Sequence, residues 1–303
     1  MPTPAPSRPA AFRRPRLLIV GCGDVGERVL RQLGGRYRAV ALTSQPARRD
    51  TLRRLGARPL LGDLDRPATL GRLGALAPRV LHLAPPPATG GARDPRTAAL
   101  LRALARAGVA GRIVYGSTSG VYGDAAGLRF DETRAPSPAT DRARRRLDAE
   151  SSLRRYGRAF GACVTLLRIP GIYAGDRPGG APRERVARGT PLLRAEDDVY
   201  TNHIHAEDLA RACIAALHRG RPQRAVHASD DTELKMGDYF DLVADLAGLP
   251  RPPRLPREAA RVQLSPATLS FMGESRRLAN RRLKEELRVR LRYPTVREGL
   301  RKG

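Results

Sequence analysis

The 303-residue sequence predicts an α/β fold, a doubly wound parallel sheet with a smaller C-terminal lobe. Three observations predict it. Short apolar runs alternate with stretches of helical periodicity over the first part of the chain. A glycine-rich turn, Gly21-Cys-Gly-Asp-Val-Gly26, joins the first apolar run to the first helical stretch. After Gly175 the alternation loosens into glycine- and proline-rich sequence.

The elements follow in order. Residues 16–20, Arg-Leu-Leu-Ile-Val, read as a strand buried on both faces. Val25, Val29, Leu30 and Leu33 recur at helical spacing until Gly34-Gly35 stops the helix. Residues 39–43 read as a second strand, 48–55 as a helix and 58–62 as a third strand. A helix near 68–76 leads to a strand over 79–83. Residues 95–107 read as a helix and 111–115 as the next strand. A long helix spans 141–156, and 163–168 is another buried strand. Residues 176–182 form a loop, 206–217 a helix and 223–228 a short strand. Over 236–247, Phe240, Val243, Ala244 and Ala247 share one helical stripe. Residues 249–256 form an extended proline-rich connector, and 275–287 a last charged helix. Strands alternating with helices imply βαβ units and a parallel sheet.

The turn over residues 21–26 has the spacing Gly-x-Gly-x-x-Gly after a strand and before a helix, the context that makes it a dinucleotide-binding signal. Gly21 makes the tight turn, Gly23 lets the backbone approach a pyrophosphate, and Gly26 lets helix and strand pack closely. Backbone N–H groups of the turn, with Asp24 and Val25 at the helix start, receive the phosphates at the positive end of the helix. The fold is therefore Rossmann-type. The tip of the second strand, Thr43-Ser-Gln-Pro-Ala-Arg-Arg49, offers no carboxylate before Asp50. A binder of NAD presents Asp or Glu here, whereas hydroxyls and arginine suit a 2′-phosphate. Thr43 and Arg48 therefore point to NADP as the preferred cofactor, with NAD possible.

Of the 56 basic residues all but three are arginine, and the formal net charge is +26. The arginines are scattered along the chain, which fits a solvated surface and unspecific, salt-sensitive adhesion to nucleic acid more than a dedicated nucleic-acid site. The three cysteines stand far apart without metal-ligand spacing, so neither a disulfide framework nor a zinc site is expected. His203-x-His205 with Asp208 is the one segment that invites a metal, and no third histidine lies near it; no metal is expected. No apolar run is long enough for a membrane helix. The first residues, rich in Pro, Ala and Arg, lack the apolar centre of a secretory signal, so a cytoplasmic protein with a disordered tail over 1–15 is expected. A nucleotide-binding domain over 16–176 follows, then a smaller substrate lobe over 177–303 with segments returning to the core.

Further stretches add to the glycine turn. They are Leu61-Gly-Asp-Leu64, Val80-Leu-His-Leu-Ala84, Gly116-Ser-Thr-Ser-Gly-Val-Tyr-Gly123, Leu167-Arg-Ile-Pro-Gly-Ile-Tyr173, Asn202-His-Ile-His-Ala-Glu-Asp-Leu-Ala210 and Tyr293-Pro-Thr-Val-Arg-Glu-Gly-Leu300. In this order they resemble the extended short-chain dehydrogenase/reductases, of the NAD-dependent epimerase/dehydratase group. More narrowly, the chain resembles an atypical bacterial subfamily described as nucleoside-diphosphate-sugar epimerases or NAD(P)-dependent oxidoreductases. The resemblance spans about residues 16 to 301. It implies that Asp63 and Leu64 lie beside the adenine, and Ala84 and Pro85 along the cofactor. It implies that Pro170 and Gly171 flank the nicotinamide, and that Thr118 holds the reacting carbonyl or hydroxyl.

One departure bears on catalysis. Active relatives carry Tyr-x-x-x-Lys on the helix after this stretch, and the matching positions here are Arg142 and Arg146. A guanidinium stays protonated, so it cannot exchange a proton near neutral pH. Arg146 could still hold a ribose hydroxyl, and Arg142 could stabilise an oxyanion or grip a phosphate. Tyr122 is a weaker candidate for the missing acid. The sequence thus implies an NAD(P)-dependent oxidoreductase or epimerase acting on a small or sugar-like substrate. A catalytically silent NADP(H)-binding sensor or partner-binding protein is the alternative. Relatives pair through the helix over 141–156, so a homodimer is expected.

Overall fold

The computed structural model describes residues 14–76, 78–106, 111–177 and 179–301. Seven strands form one parallel sheet. They are β1 (Arg16–Val20), β2 (Arg38–Thr43), β3 (Arg58–Leu61), β4 (Arg79–His82), β5 (Arg112–Thr118), β6 (Cys163–Ile169) and β7 (Arg224–His227). Their spatial order is β3-β2-β1-β4-β5-β6-β7. In register, Leu18 of β1 lies opposite Val40 of β2 on one side and Val80 of β4 on the other. Apolar runs form these central strands because both faces are covered: Leu17 to Val20 have no exposed surface. The order reverses between β1 and β4, and a crevice opens there at the carboxyl ends of the strands.

The helices are α1 (Asp24–Leu33), α2 (Arg49–Arg54), α3 (Pro95–Ala105), α4 (Asp141–Phe160), α5 (Pro182–Ala187), α6 (Ala206–Arg219), α7 (Met236–Ala247), α8 (Arg257–Gln263), α9 (Pro266–Phe271), α10 (Arg281–Glu285) and α11 (Val296–Arg301). Val29 and Leu33 of α1 and Leu209 and Cys213 of α6 join the core on one face of the sheet. Leu100 and Leu104 of α3 and Ala149 and Leu153 of α4 join the core on the other. The sheet is therefore doubly wound, as the sequence predicts. A third core holds the small lobe together, with Val186 of α5, Phe240 and Val243 of α7, Met272 and Val296 of α11. Between these lobe segments the chain returns to the main body as α6 and β7.

Four expectations need correction. The helix near 68–76 is only a 3₁₀ turn over Pro67–Leu70 followed by further turns, since Gly71 and Gly74 favour helix poorly. The helix over 275–287 shrinks to α10, because Arg277–Leu278 instead pairs in parallel with Arg129–Phe130. There Leu278 N donates to Asn202 Oδ1 at 2.9 Å, and this tertiary bond overrides local periodicity. The connector is followed by two helices, α8 and α9, that the sequence reading left out. α4 runs on from Tyr156 to Phe160, where Gly161 closes it at a φ of 65°. The last residue of the expected 95–107 helix and most of the tail lie outside the described residues.

Candidate functional site

The site begins where β1 runs into Gly21. This residue has a φ of +82°, and a Cβ added to it would sit 2.2 Å from Ala84 N. Only glycine fits this turn against the segment that follows β4. Gly23 N donates to Gly21 O at 2.9 Å and closes the turn, and α1 starts at the next residue. A Cβ on Gly23 would meet nothing within 4 Å, so the backbone here faces open space. A Cβ on Gly26 would come within 3.0 Å of Cys22 Sγ, the close packing expected of the third glycine. Burial pushes the Cys22 thiol up to about 12, so it is not a nucleophile at neutral pH.

From this turn a crevice extends in both directions. On one side a cleft of about 420 Å³ is lined by Thr43, Arg48, Asp63, Leu64, Ala84 and Pro85, together with Gly21 and Gly23. In the centre a hollow of about 290 Å³ is lined by the two glycines, Asp24, Val25, Gly26, Thr118, Arg146 and Pro170. On the far side an outer pocket of about 430 Å³ is lined by Thr118, Arg142, Pro170 and Gly171 and by lobe residues. Gly21 and Gly23 join the first cleft to the second, and Thr118 and Pro170 join the second to the third. The glycine turn, the residues expected along the cofactor, Thr118, Arg142 and Arg146 thus line one continuous crevice.

Charge at the glycine turn is balanced by arginines. Asp24 would repel a phosphate, but Arg28 Nε bonds its Oδ1 at 3.0 Å and Arg177 Nε its Oδ2 at 3.1 Å. Arg28 is buried and also holds Asp176 and Glu207. Arg177 donates to Ile172 O at 3.0 Å as well, tying the loop after β6 to the start of α1. At the tip of β2, Thr43 Oγ1 accepts from Gln45 N at 3.1 Å, and the Arg48 guanidinium bonds Glu27.

α4 presents Arg142 and Arg146 one turn apart, on the same face, toward the crevice. Arg146 Nη1 donates to Gly116 O at 2.7 Å and to the Tyr115 hydroxyl at 3.2 Å. The Arg142 guanidinium lies 4.4 Å from the centre of the Phe271 ring. Thr118 ends β5, and its Oγ1 accepts from Gly120 N at 3.2 Å. Tyr122 does not serve this site. It is fully buried, its hydroxyl meets Arg168 Nη1 and His227 Nε2 at 2.6 Å each, and burial pushes it up to about 12.

Behind the crevice lies a buried polar chain that sequence reasoning missed. Ser117 Oγ donates to Glu150 Oε1 at 2.6 Å, and Arg168 grips both oxygens of Glu150 at 3.1 and 2.8 Å. Arg168 then reaches Tyr122, and Tyr122 reaches His227. Nothing local in the sequence pairs Glu150 with Arg168; adjacency of α4 and β6 does. Also missed were Arg185 and Arg188, which line the outer pocket. Arg185 stacks 4.4 Å from the Phe240 ring, and its Nε and Nη2 are buried without a hydrogen-bond partner.

The histidine segment has structural work. His203 Nε2 meets Thr201 Oγ1 at 2.9 Å, and its ring stacks on Tyr239 with centroids 4.0 Å apart. His205 Nδ1 accepts from Glu207 N at 3.2 Å and caps α6. Asp208 accepts from Arg292 N and Tyr293 N at 2.8 Å each. Among the described residues no group of three or more His, Cys, Asp or Glu is placed to hold a metal ion.

Known proteins frame this geometry. A conserved protein of unknown function from Silicibacter pomeroyi DSS is 30% identical, with a TM-score of 0.79 over 95% of this chain and 97% of its own. UDP-glucose 4-epimerase from Thermotoga maritima, solved with UDP-glucose, is 20% identical, with a TM-score of 0.76 over 94% of this chain and 96% of its own. DesIV, a dTDP-glucose 4,6-dehydratase from Streptomyces venezuelae, is 22% identical, with a TM-score of 0.76 over 95% of each chain. The last two share the fold. No curated protein matches the sequence. The model of the NAD dependent epimerase/dehydratase family matches residues 17–228, the span that builds the sheet and most of the crevice, and the chain belongs to that family.

Proposed function

We propose that the chain is an NAD(P)-dependent oxidoreductase or epimerase acting on an anionic, sugar-like substrate. The observation that carries this reading is the continuity of the crevice, in which a cofactor-sized channel and the outer pocket meet at Thr118 and Pro170. The open backbone at Gly23 suits a pyrophosphate, and the cleft beside Asp63 and Leu64 suits an adenosine. Thr43 and Arg48, with no carboxylate at the β2 tip, favour NADP over NAD. For that, a 2′-phosphate has to draw Arg48 from Glu27.

When bound, the dinucleotide supplies hydride chemistry at its nicotinamide, and the protein supplies position and electrostatics. Thr118 Oγ1 holds the reacting oxygen, and Arg146 holds a ribose hydroxyl. Arg142 stabilises negative charge at the reacting end. Substrate charge follows from the outer pocket, where the side chains of Arg142, Arg185 and Arg188 have no hydrogen bond or ion pair among the described residues. Nucleoside-diphosphate sugars such as those bound to the neighbouring epimerase and to MoeE5 are anions of this kind. A second reading, a silent NADP(H)-binding sensor, is favoured by the arginines at positions 142 and 146, neither of which can exchange the proton.

Isothermal titration with NADPH, NADP⁺, NADH and NAD⁺ at roughly 0.2–0.3 M salt tests the cofactor site. The expected result is micromolar binding of the phosphorylated forms, weakened roughly tenfold by Arg48→Ala. Failure of all four to bind would sink both readings. Binding without turnover on a panel of nucleoside-diphosphate sugars would leave the sensor.

A further inference from the structure

A second basic hollow lies away from the crevice. It has a volume of about 450 Å³ and runs between the C-terminal end of α1, one face of α6 and the segment that follows α10. Five exposed arginines line it: Arg36, Arg211, Arg219, Arg288 and Arg292. Arg211 and Arg219 are two turns apart on α6, about 12 Å along its axis. Ile214, Ala215 and Val289 give the hollow an apolar floor.

The partners of these arginines leave most of their charge uncancelled. Elsewhere arginines commonly find carboxylates, as Arg96 does with Asp65 and Arg251 with Asp245. Here they spend their donors on main-chain carbonyls. Arg36 donates to Leu33 O at 3.0 Å and Gln32 O at 2.8 Å. Arg219 donates to Leu287 O at 3.0 Å, and Arg211 to Arg290 O at 3.1 Å. These bonds fix the side chains without cancelling their charge. The side chains of Arg288 and Arg292 have no hydrogen bond or ion pair among the described residues. Arg288 also holds a φ of +53°, in the left-handed region that favours glycine. Among the described residues, two carboxylates stand close to these arginines. Glu207 lines the hollow but is bound by Arg28 and Gln32, and Asp208 stands 3.7 Å from Arg211 while its oxygens accept from two main-chain amides.

Five like charges around one hollow repel one another, and an anion seated among them relieves that repulsion. The size lies within the small-molecule range, and fixed guanidiniums over an apolar floor suit phosphate groups attached to a less polar body. We propose that this hollow is a second ligand site, separate from the crevice, that binds a phosphate-bearing small molecule of nucleotide size.

The test is isothermal titration of the full chain with inorganic pyrophosphate and tripolyphosphate, at roughly 0.3 M salt to suppress unspecific attraction. The expected result is saturable binding at one site, weakened roughly tenfold or more by Arg288→Gln with Arg292→Gln. Arg211→Gln alone should weaken it less. Gly23→Asp, which sets a carboxylate in the crevice where there is open space, should leave it unchanged. Binding that survives the arginine changes but is lost in Gly23→Asp would move the anion to the glycine turn and overturn the proposal. Absence of saturable binding at this salt would overturn it too. A short RNA that binds more tightly than tripolyphosphate, with a salt dependence reduced by the same arginine changes, would make the hollow a nucleic-acid surface instead.

Discussion

Burial holds His82, His203 and His227 at about 3 and His205 at about 4, and partial desolvation also lowers the more exposed His218. Neighbouring arginines add to the effect at His82, His205, His218 and His227. A histidine with a depressed folded pKa binds its proton more readily unfolded, so it stabilises the fold above about 6.5 and loses that contribution as pH falls. Between about pH 7 and 5 few other groups titrate in the unfolded chain. Urea midpoints should therefore fall steadily across that window, and a flat profile would contradict the buried, neutral state of these rings. The same scale governs the pair Arg168 and Glu150, 3% and 1% exposed. Glu150→Ala should cost about 3–5 kcal/mol in denaturant titrations by leaving a buried guanidinium uncompensated. Replacing both partners with apolar residues should cost far less. Among residues, those that the glycine spacing or the family resemblance singles out were legible as lining the crevice: the three glycines, Thr118, Arg142 and Arg146. Glu150, Arg168, Arg185 and Arg188 were not, because their roles depend on partners brought from other elements.

At the scale of elements, capping and periodicity explain both what was read and what was misread. Asp94 begins α3 by accepting from Arg96 N at 3.0 Å, and its Oδ2 also accepts a hydrogen bond from Thr97 Oγ1 at 2.6 Å. It is buried, so Asp94→Ala should cost about 1–2 kcal/mol, measurable as a lower denaturation midpoint. α1 shows the other end of a helix, where Gly34 at a φ of 53° donates to Leu30 O and Arg31 O. Such ends are written in single residues, and so are strands buried on both faces. The stretches over 68–76 and 275–287 misled because their apolar spacing is helical while their bonding is not. Glycines interrupt the first, and pairing with a distant strand captures the second.

At the scale of the whole molecule, an excess of 26 positive charges decides how the protein responds to salt. Exposed ion pairs contribute little individually and weaken with salt, whereas the mutual repulsion of the excess arginines is relieved by it. The melting temperature should therefore rise between about 0.05 and 0.5 M salt. Scanning calorimetry checks this, and a fall would show that the ion pairs outweigh the repulsion. The doubly wound sheet was legible because each strand announces itself locally. The small lobe was less so, since its segments meet only through tertiary packing. The position of β7 has a consequence for synthesis on the ribosome. The edge of the sheet beside β6 is closed by residues 224–227, more than fifty residues after β6 itself is complete. Until that stretch has emerged, a nascent chain carries the apolar run Val164 to Ile169 with one row of backbone donors and acceptors unpaired. Fragments ending between about 180 and 220 should therefore aggregate or recruit chaperones, whereas release past 230 lets the edge close.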